Sequence, residues 1–258
     1  MPALHTTTLG ESGPLVAFCH GLFGQGKNWT TIAKALATDH RVLLVDMPNH
    51  GRSAWHDRFD YVDVADEVAA LFSADDPVAL VGHSMGGKAA MVLALRHPEL
   101  VERLCVVDIS PVDYHGLSEF GGFIAAMRGM DLDALERRSD ADEAMAEAVP
   151  NRTVRSFLLQ NLRREGDGWT WLPNLAVLDR DLALLGGWPE DELAGAAPYP
   201  GKVLWVAGQT SGYVKDEYAA AMDRWFPQNR RVTVKNAGHW VHSEQSEVFL
   251  EVLRRFLA

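Results

Sequence analysis

Residues 82–86 read Gly-His-Ser-Met-Gly, directly after the apolar run PVALV and before a stretch in which Met85, Ala89, Val92 and Leu93 recur at helical spacing. A G-x-S-x-G segment between a buried strand and a helix makes a turn too tight for side chains at its flanks. The turn lifts the serine hydroxyl above the sheet edge. The helix start behind it offers unpaired N–H groups and the positive end of the helix dipole. This setting suits nucleophilic attack on an acyl carbon, with Ser84 as the attacking residue. A glycine-rich turn whose serine merely caps the helix is the plainer alternative.

A serine hydroxyl attacks only when a base takes its proton. Ten histidines compete for that role. His239, in NAGHW, lies after the last apolar run and before the last helical stretch, where the loop returns to the sheet edge that carries Ser84. His242 on the same loop is its rival. His97 ends a helix, His56 and His115 sit in polar loops, and His5 and His40 lie beside strand starts. The base needs a carboxylate to fix its tautomer. QTSGYV, after the run KVLWVAG, holds none, and Asp216, the first to follow, falls in the next helix. Asp108, at the end of the run after the Ser84 helix, is better placed and keeps the order serine, acid, histidine. Ser211 stands where the missing acid would be, a candidate to bond Asp108 or His239 or to meet substrate. An oxyanion also needs two donors. The N–H of Met85, next after the serine, is one. The N–H of Leu22 is the other, in a His20-Gly21-Leu22-Phe23-Gly24 loop that His20 is expected to orient. Phe23 and Trp240 are candidates to line an apolar acyl pocket, with ordinary core packing as the alternative.

These residues need a parallel sheet beneath them. Apolar runs at 15–19, 41–46, 77–81 and 101–109 alternate with amphipathic stretches marked by Trp29, Ile32, Ala33 and Leu36, then by Tyr61, Val64, Ala65, Val68 and Phe72. Such alternation means a parallel sheet covered on both faces. The pattern breaks at Ser110-Pro111. Short helices are predicted at 120–128, 131–138, 141–148 and 153–162, punctuated by the Trp-rich GWTWLPN. Strand logic resumes at 202–207, followed by a helix from about 215, a strand at 231–235 and a last helix near 243–257. Val248, Phe249, Val252, Leu253 and Phe256 form that helix's apolar stripe, and Glu244 and Glu247 suit its positive end. The expected organisation is an α/β core of residues 1–110 and 200–258 holding a helical cap, residues 111–199, longer than ordinary connections. Phe120, Phe123, Met127 and Trp171 are the cap residues that could face the pocket.

The 258 residues carry 24 Lys and Arg against 35 Asp and Glu, a formal charge of −11. Their Arg pairs, at 137–138, 163–164, 230–231 and 254–255, are scattered along the chain. Nucleic acid is excluded as a partner, because phosphate contacts need a massed basic face. No basic patch for a CoA phosphate is evident either. Cys19 and Cys105 lie inside apolar runs and read as buried thiols, not as a disulfide or a metal site. The start shows no secretory signal, and no run approaches the roughly 18 apolar residues of a membrane span. A cytoplasmic protein is expected.

Taken together, HGLFG, DMPNHGRS, GHSMGGK, VVDISPVDYH and NAGHWVHSE resemble the α/β-hydrolase superfamily. They look most like YbfF-type bacterial esterases and their mitochondrial abhydrolase relatives. The resemblance runs from about residue 5 to the C-terminus and is weakest through residues 111–199. It implies an α/β-hydrolase fold with a mostly parallel central sheet, a helical cap over the site, and an acid after the strand where Asp108 sits. It also implies a small-molecule acyl ester or thioester substrate, with no metal or organic cofactor. Hydrolysis of a carboxylic ester through an acyl-enzyme is the leading expectation. Thioesterases, acyltransferases and carbon–carbon hydrolases use the same serine, and a non-catalytic ligand-binding protein on this fold is the reading from another class.

Overall fold

The computed structural model describes residues 4–258; residues 1–3, with which the expected core begins, lie outside the described residues. The first part of the chain runs β1 (Thr6–Leu9), β2 (Leu15–Cys19), α1 (Thr30–Leu36), β3 (Arg41–Val45), α2 (Tyr61–Ala69), β4 (Val78–His83), α3 (Met85–Arg96) and β5 (Val101–Val107). An inserted segment follows, with α4 (Ser118–Arg128), α5 (Arg138–Met145), α6 (Arg152–Leu159), the hairpin β6 (Leu162–Glu165) and β7 (Gly168–Trp171), α7 (Leu175–Arg180) and α8 (Leu182–Gly186). The last part is β8 (Lys202–Gly208), α9 (Ala219–Trp225), β9 (Asn229–Val234), α10 (Val241–Glu244) and α11 (Ser246–Leu257).

Seven strands form one sheet in the order β1-β3-β2-β4-β5-β8-β9. All neighbours are parallel except β1, which pairs antiparallel with β3. Because successive strand residues point to opposite faces, each apolar run feeds two cores. Ala17, Cys19, Leu80 and Val106 join the layer with α2, α3 and the inserted segment. Val16, Phe18, Val81 and Val107 join the layer with α1 and α11. Runs apolar on every residue are what a doubly covered sheet requires. The carboxyl ends of β2, β4 and β5 share one edge, where this architecture builds its ligand sites. Cys19 and Cys105 are buried free thiols. No helix among the described residues is long and apolar enough to cross a membrane.

The strands of the sequence-based reading are present, but the inserted segment differs in detail. Residues 131–138 form turns and no helix; α5 starts only at Arg138. There the Asp131 and Asp140 carboxylates accept the N–H groups of Asp133, Glu136 and Arg137, local bonds that compete with a helical ladder. The predicted helix over 153–162 ends at Leu159, and Leu162 opens a strand. GWTW is that strand's antiparallel partner, in keeping with the β preference of Trp and Thr. The last helix breaks at Gln245 into α10 and α11, and Val248 is 45% exposed while Phe249 and Leu253 are buried. Glu244 therefore does not serve the start of α11.

Candidate active site

Ser84 is the single residue between β4 and α3. Its backbone stands at φ 53°, ψ −120°, a left-handed conformation that L side chains rarely adopt. A Cβ on Gly82 would come within 2.3 Å of the Gly86 carbonyl oxygen, and one on Gly86 within 2.4 Å of the His20 carbonyl oxygen. Neither position accepts a side chain. The Ser84 N–H donates to the Val107 carbonyl at 3.0 Å, which ties the turn to β5.

His239 Nε2 lies 3.0 Å from Ser84 Oγ, and its Nδ1 lies 2.7 Å from Asp108 Oδ2. An ionised carboxylate only accepts, so Nδ1 carries the proton and Nε2 presents its lone pair to the serine hydroxyl. Asp108 is fully buried. Its Oδ1 accepts the Gly208 N–H at 2.9 Å, and its Oδ2 also takes the Ser211 hydroxyl. These donors replace the water lost on burial. Ser211 thus meets the carboxylate, and it is not among the residues lining the clefts at Ser84. Asp216 opens a single 3₁₀ turn, Asp216–Tyr218, and makes no bond to His239. His242, the rival histidine, is buried and stacks on Trp29 with centroids 4.1 Å apart. Burial pulls its pKa down to about 3.

The loop after β2 curls against the same turn. Its His20 Nδ1–H donates to the Gly21 carbonyl at 2.8 Å, while Nε2 accepts the Met47 N–H at 2.9 Å. Burial holds His20 neutral, with a pKa lowered to about 4. Leu22 and Met85 border the space around Ser84, and among the described residues neither backbone N–H has an acceptor. Two clefts meet at the hydroxyl. One is lined by Phe23, Phe120, Phe123, Phe157 and Trp240; the other by Tyr61, Ile109, Tyr114, Leu185 and Tyr213. Phe23 and Trp240 therefore line the site, as do Phe120 and Phe123. Met127 and Trp171 instead pack into the core.

Four neighbours of this arrangement escaped the sequence reading. His83, the first variable position of the glycine-serine motif, donates from Nε2 to the His239 carbonyl at 2.8 Å and is held neutral by burial. The Tyr213 ring lies 4.3 Å from the His239 ring. The Glu244 carboxylate accepts the Gly238 N–H at 2.7 Å and the Trp240 N–H at 3.2 Å, bracing His239 on both sides. Lys88, one helical turn beyond Ser84, is buried with its ammonium 2.8, 2.6 and 2.5 Å from the carbonyl oxygens of Val112, Gly186 and Gly187. GHSMGGK and QTSGYV contained His83, Lys88 and Tyr213, but no period or spacing marked them out.

The family described as the alpha/beta hydrolase fold matches residues 14–246. The chain belongs to it. It is 40% identical to the mouse (Mus musculus) sn-1-specific diacylglycerol lipase ABHD11, across 95% of this chain and 81% of the relative. It is 33% identical to the esterase YbfF of Escherichia coli K12, across 96% of this chain and 94% of that protein. A solved marine microorganism esterase superposes with a TM-score of 0.94 at 30% identity, covering 99% of this chain and all of the other. The chain is an enzyme of the esterase and lipase type within this family.

Proposed function

We propose that this enzyme hydrolyses carboxylic esters of apolar acyl chains through an acyl-enzyme on Ser84. The observation that carries the reading is the relay from the Ser84 hydroxyl through His239 to the buried Asp108, set at the meeting point of two aromatic clefts. As Ser84 Oγ attacks the ester carbon, its proton passes to His239 Nε2, and Asp108 stabilises the imidazolium. The tetrahedral oxyanion is held by the Leu22 and Met85 N–H groups. His239 then returns the proton to the leaving alkoxide as the C–O bond breaks, releasing the alcohol. Water, deprotonated by His239, attacks the acyl-enzyme and restores Ser84. Phe23, Phe120 and Trp240 offer the apolar surface that an acyl chain needs.

The segment between β5 and β8 is proposed as a cap, residues 111–199, over a core of residues 1–110 and 200–258. Beside Ser84 the two clefts hold only about 10 and 30 Å³, against the roughly 300 Å³ or more of an ordinary ligand pocket. Substrate therefore enters when the cap shifts. A chain-length panel of activated esters tests the mechanism. Wild type hydrolyses them, and Ser84→Ala loses at least ~10³ in kcat. Equal turnover by both proteins overturns the assignment. A fluorophosphonate that labels wild type at Ser84 and leaves Ser84→Ala unlabelled tests the covalent step separately.

A further inference from the structure

A second concavity lies at the junction of the sheet edge and the inserted segment. It has a volume of about 330 Å³ and shares no lining residue with the two clefts at Ser84. Four cations line it: Lys27 and Arg52 from the loops after β2 and β3, and Arg138 and Arg163 from the inserted segment. In sequence they are separated by as many as 136 positions, counted from Lys27 to Arg163. Only one carboxylate, Asp46, lines the groove with them, and its oxygens are already taken. Oδ1 accepts the Gly26 N–H at 2.7 Å and Oδ2 the Arg52 N–H at 2.9 Å. The Arg52 side chain has no hydrogen-bond or ion-pair partner among the described residues. Arg138 spends two of its N–H groups on the Leu159 and Leu162 carbonyls. Arg163 pairs only with the exposed Glu165, at 3.1 Å, an ion pair worth little in water.

Four like charges gathered around one spent carboxylate repel one another, in a molecule whose net charge is −11. Their mutual effect is visible at Lys27, whose pKa is lowered by burial and then by the charges of Arg138 and Arg52. Guanidinium groups with free N–H donors match the oxygens of a phosphate group.

We infer that this groove is a binding site for a phosphate group carrying two charges, which bridges the core cations Lys27 and Arg52 to the inserted-segment cations Arg138 and Arg163. The bridge stiffens the junction beside the active site. Gln25, a wall of the groove, donates to Asn161 Oδ1 at 2.8 Å, and Asn161 donates to the Phe23 carbonyl at 2.7 Å. Phosphate in this groove therefore braces the loop that carries Leu22 and Phe23.

Arg52→Gln/Arg163→Gln tests the site, because neither side chain holds another part of the fold. Inorganic phosphate, titrated calorimetrically at constant ionic strength balanced with chloride, is expected to bind wild type and raise its Tm. The double variant should bind about tenfold more weakly or worse, the loss of one charge-assisted contact, while keeping its phosphate-free Tm. In a second arm, phosphatidylcholine vesicles with and without phosphatidic acid are sedimented with each protein. Binding to the acidic vesicles that needs Arg52 and Arg163 identifies a lipid headgroup as the source of the phosphate; binding in solution alone identifies a free phosphate compound. Equal phosphate binding by wild type and variant, or none by wild type in either arm, overturns the inference. Neither result bears on whether Ser84 forms an acyl-enzyme.

Discussion

Ser84 and Asp108 both have positive φ, 53° and 52°, at the two positions whose side chains meet His239. Conformations of this kind cost about 1–3 kcal/mol each and persist where the surroundings enforce them. Here the enforcement is steric: strand and helix meet at a single residue, and backbone oxygens fill the space beside Gly82 and Gly86. Glycine at 84 adopts the same φ without penalty, whereas alanine keeps it. Ser84→Gly is accordingly expected to unfold at higher denaturant than Ser84→Ala, by about 1 kcal/mol, both being inactive. Equal midpoints in a urea titration would deny the strain. The acid assignment is tested at the same scale. Asp108→Asn leaves His239 with the wrong hydrogen-bond partner and should lower kcat by about 10³-fold or more, while Asp216→Asn, on a 3₁₀ turn with no bond to His239, leaves it near wild type. The reverse ranking in steady-state kinetics moves the acid. Ser84, Asp108 and His239 were legible because each ends or follows an apolar run. His83 and Glu244 were not, since their bonds go to backbone groups whose position depends on the loop after β9.

At the scale of elements, Lys88 connects the Ser84 helix to both ends of the inserted segment. Its ammonium reaches Val112 where the segment begins, and Gly186 and Gly187 where α8 ends. The rings of Tyr114 and Tyr61 lie 4.8 and 5.9 Å away, with Asp113 the nearby charge. Burial lowers its pKa to about 7, while three carbonyls matched to three N–H donors favour the charged form. Lys88→Met strands those carbonyls and should cost about 2–4 kcal/mol of unfolding free energy. It should also raise KM more than it lowers kcat, because the segment over the clefts loses its anchor. An unchanged KM would confine Lys88 to stability. This segment is also where periodicity failed. Residues 131–138 carry an apolar pattern that side-chain bonds from Asp131 and Asp140 override, and GWTW needs the facing LRRE to become a strand.

Over the whole molecule, four buried histidines, His20, His50, His83 and His242, have pKa values pulled down by burial, to about 4 for His20 and about 3 for His50 and His242. Folded, they stay neutral; unfolded, they take protons near the ordinary 6.5. Between those values the unfolded chain binds more protons, so stability rises with pH and is lost on acidification below about 6.5. Each such group contributes up to about 1.4 kcal/mol per pH unit. Urea midpoints measured from neutral to acid should fall steeply, and His242→Phe, which keeps the ring against Trp29, should flatten the slope by one proton. A slope unchanged in that variant removes His242 from the account.

From the chain alone, the parallel sheet, the serine turn, the choice of His239 and the preference for Asp108 followed, because apolar runs and the glycines at 82 and 86 are local consequences of strand burial and a tight turn. Ser211 could be placed only as a neighbour of the acid or the base; its bond to Asp108 needed β5 and β8 side by side. Which aromatic residues of the inserted segment face Ser84 was a matter of how α4 and α6 lie across the sheet edge, since helical periodicity marks a buried face without saying what it is buried against. The cation groove is the clearest case. Its four charges look scattered along an acidic sequence, and only the fold, by laying the inserted segment against the edge at β3, sets them around one cavity.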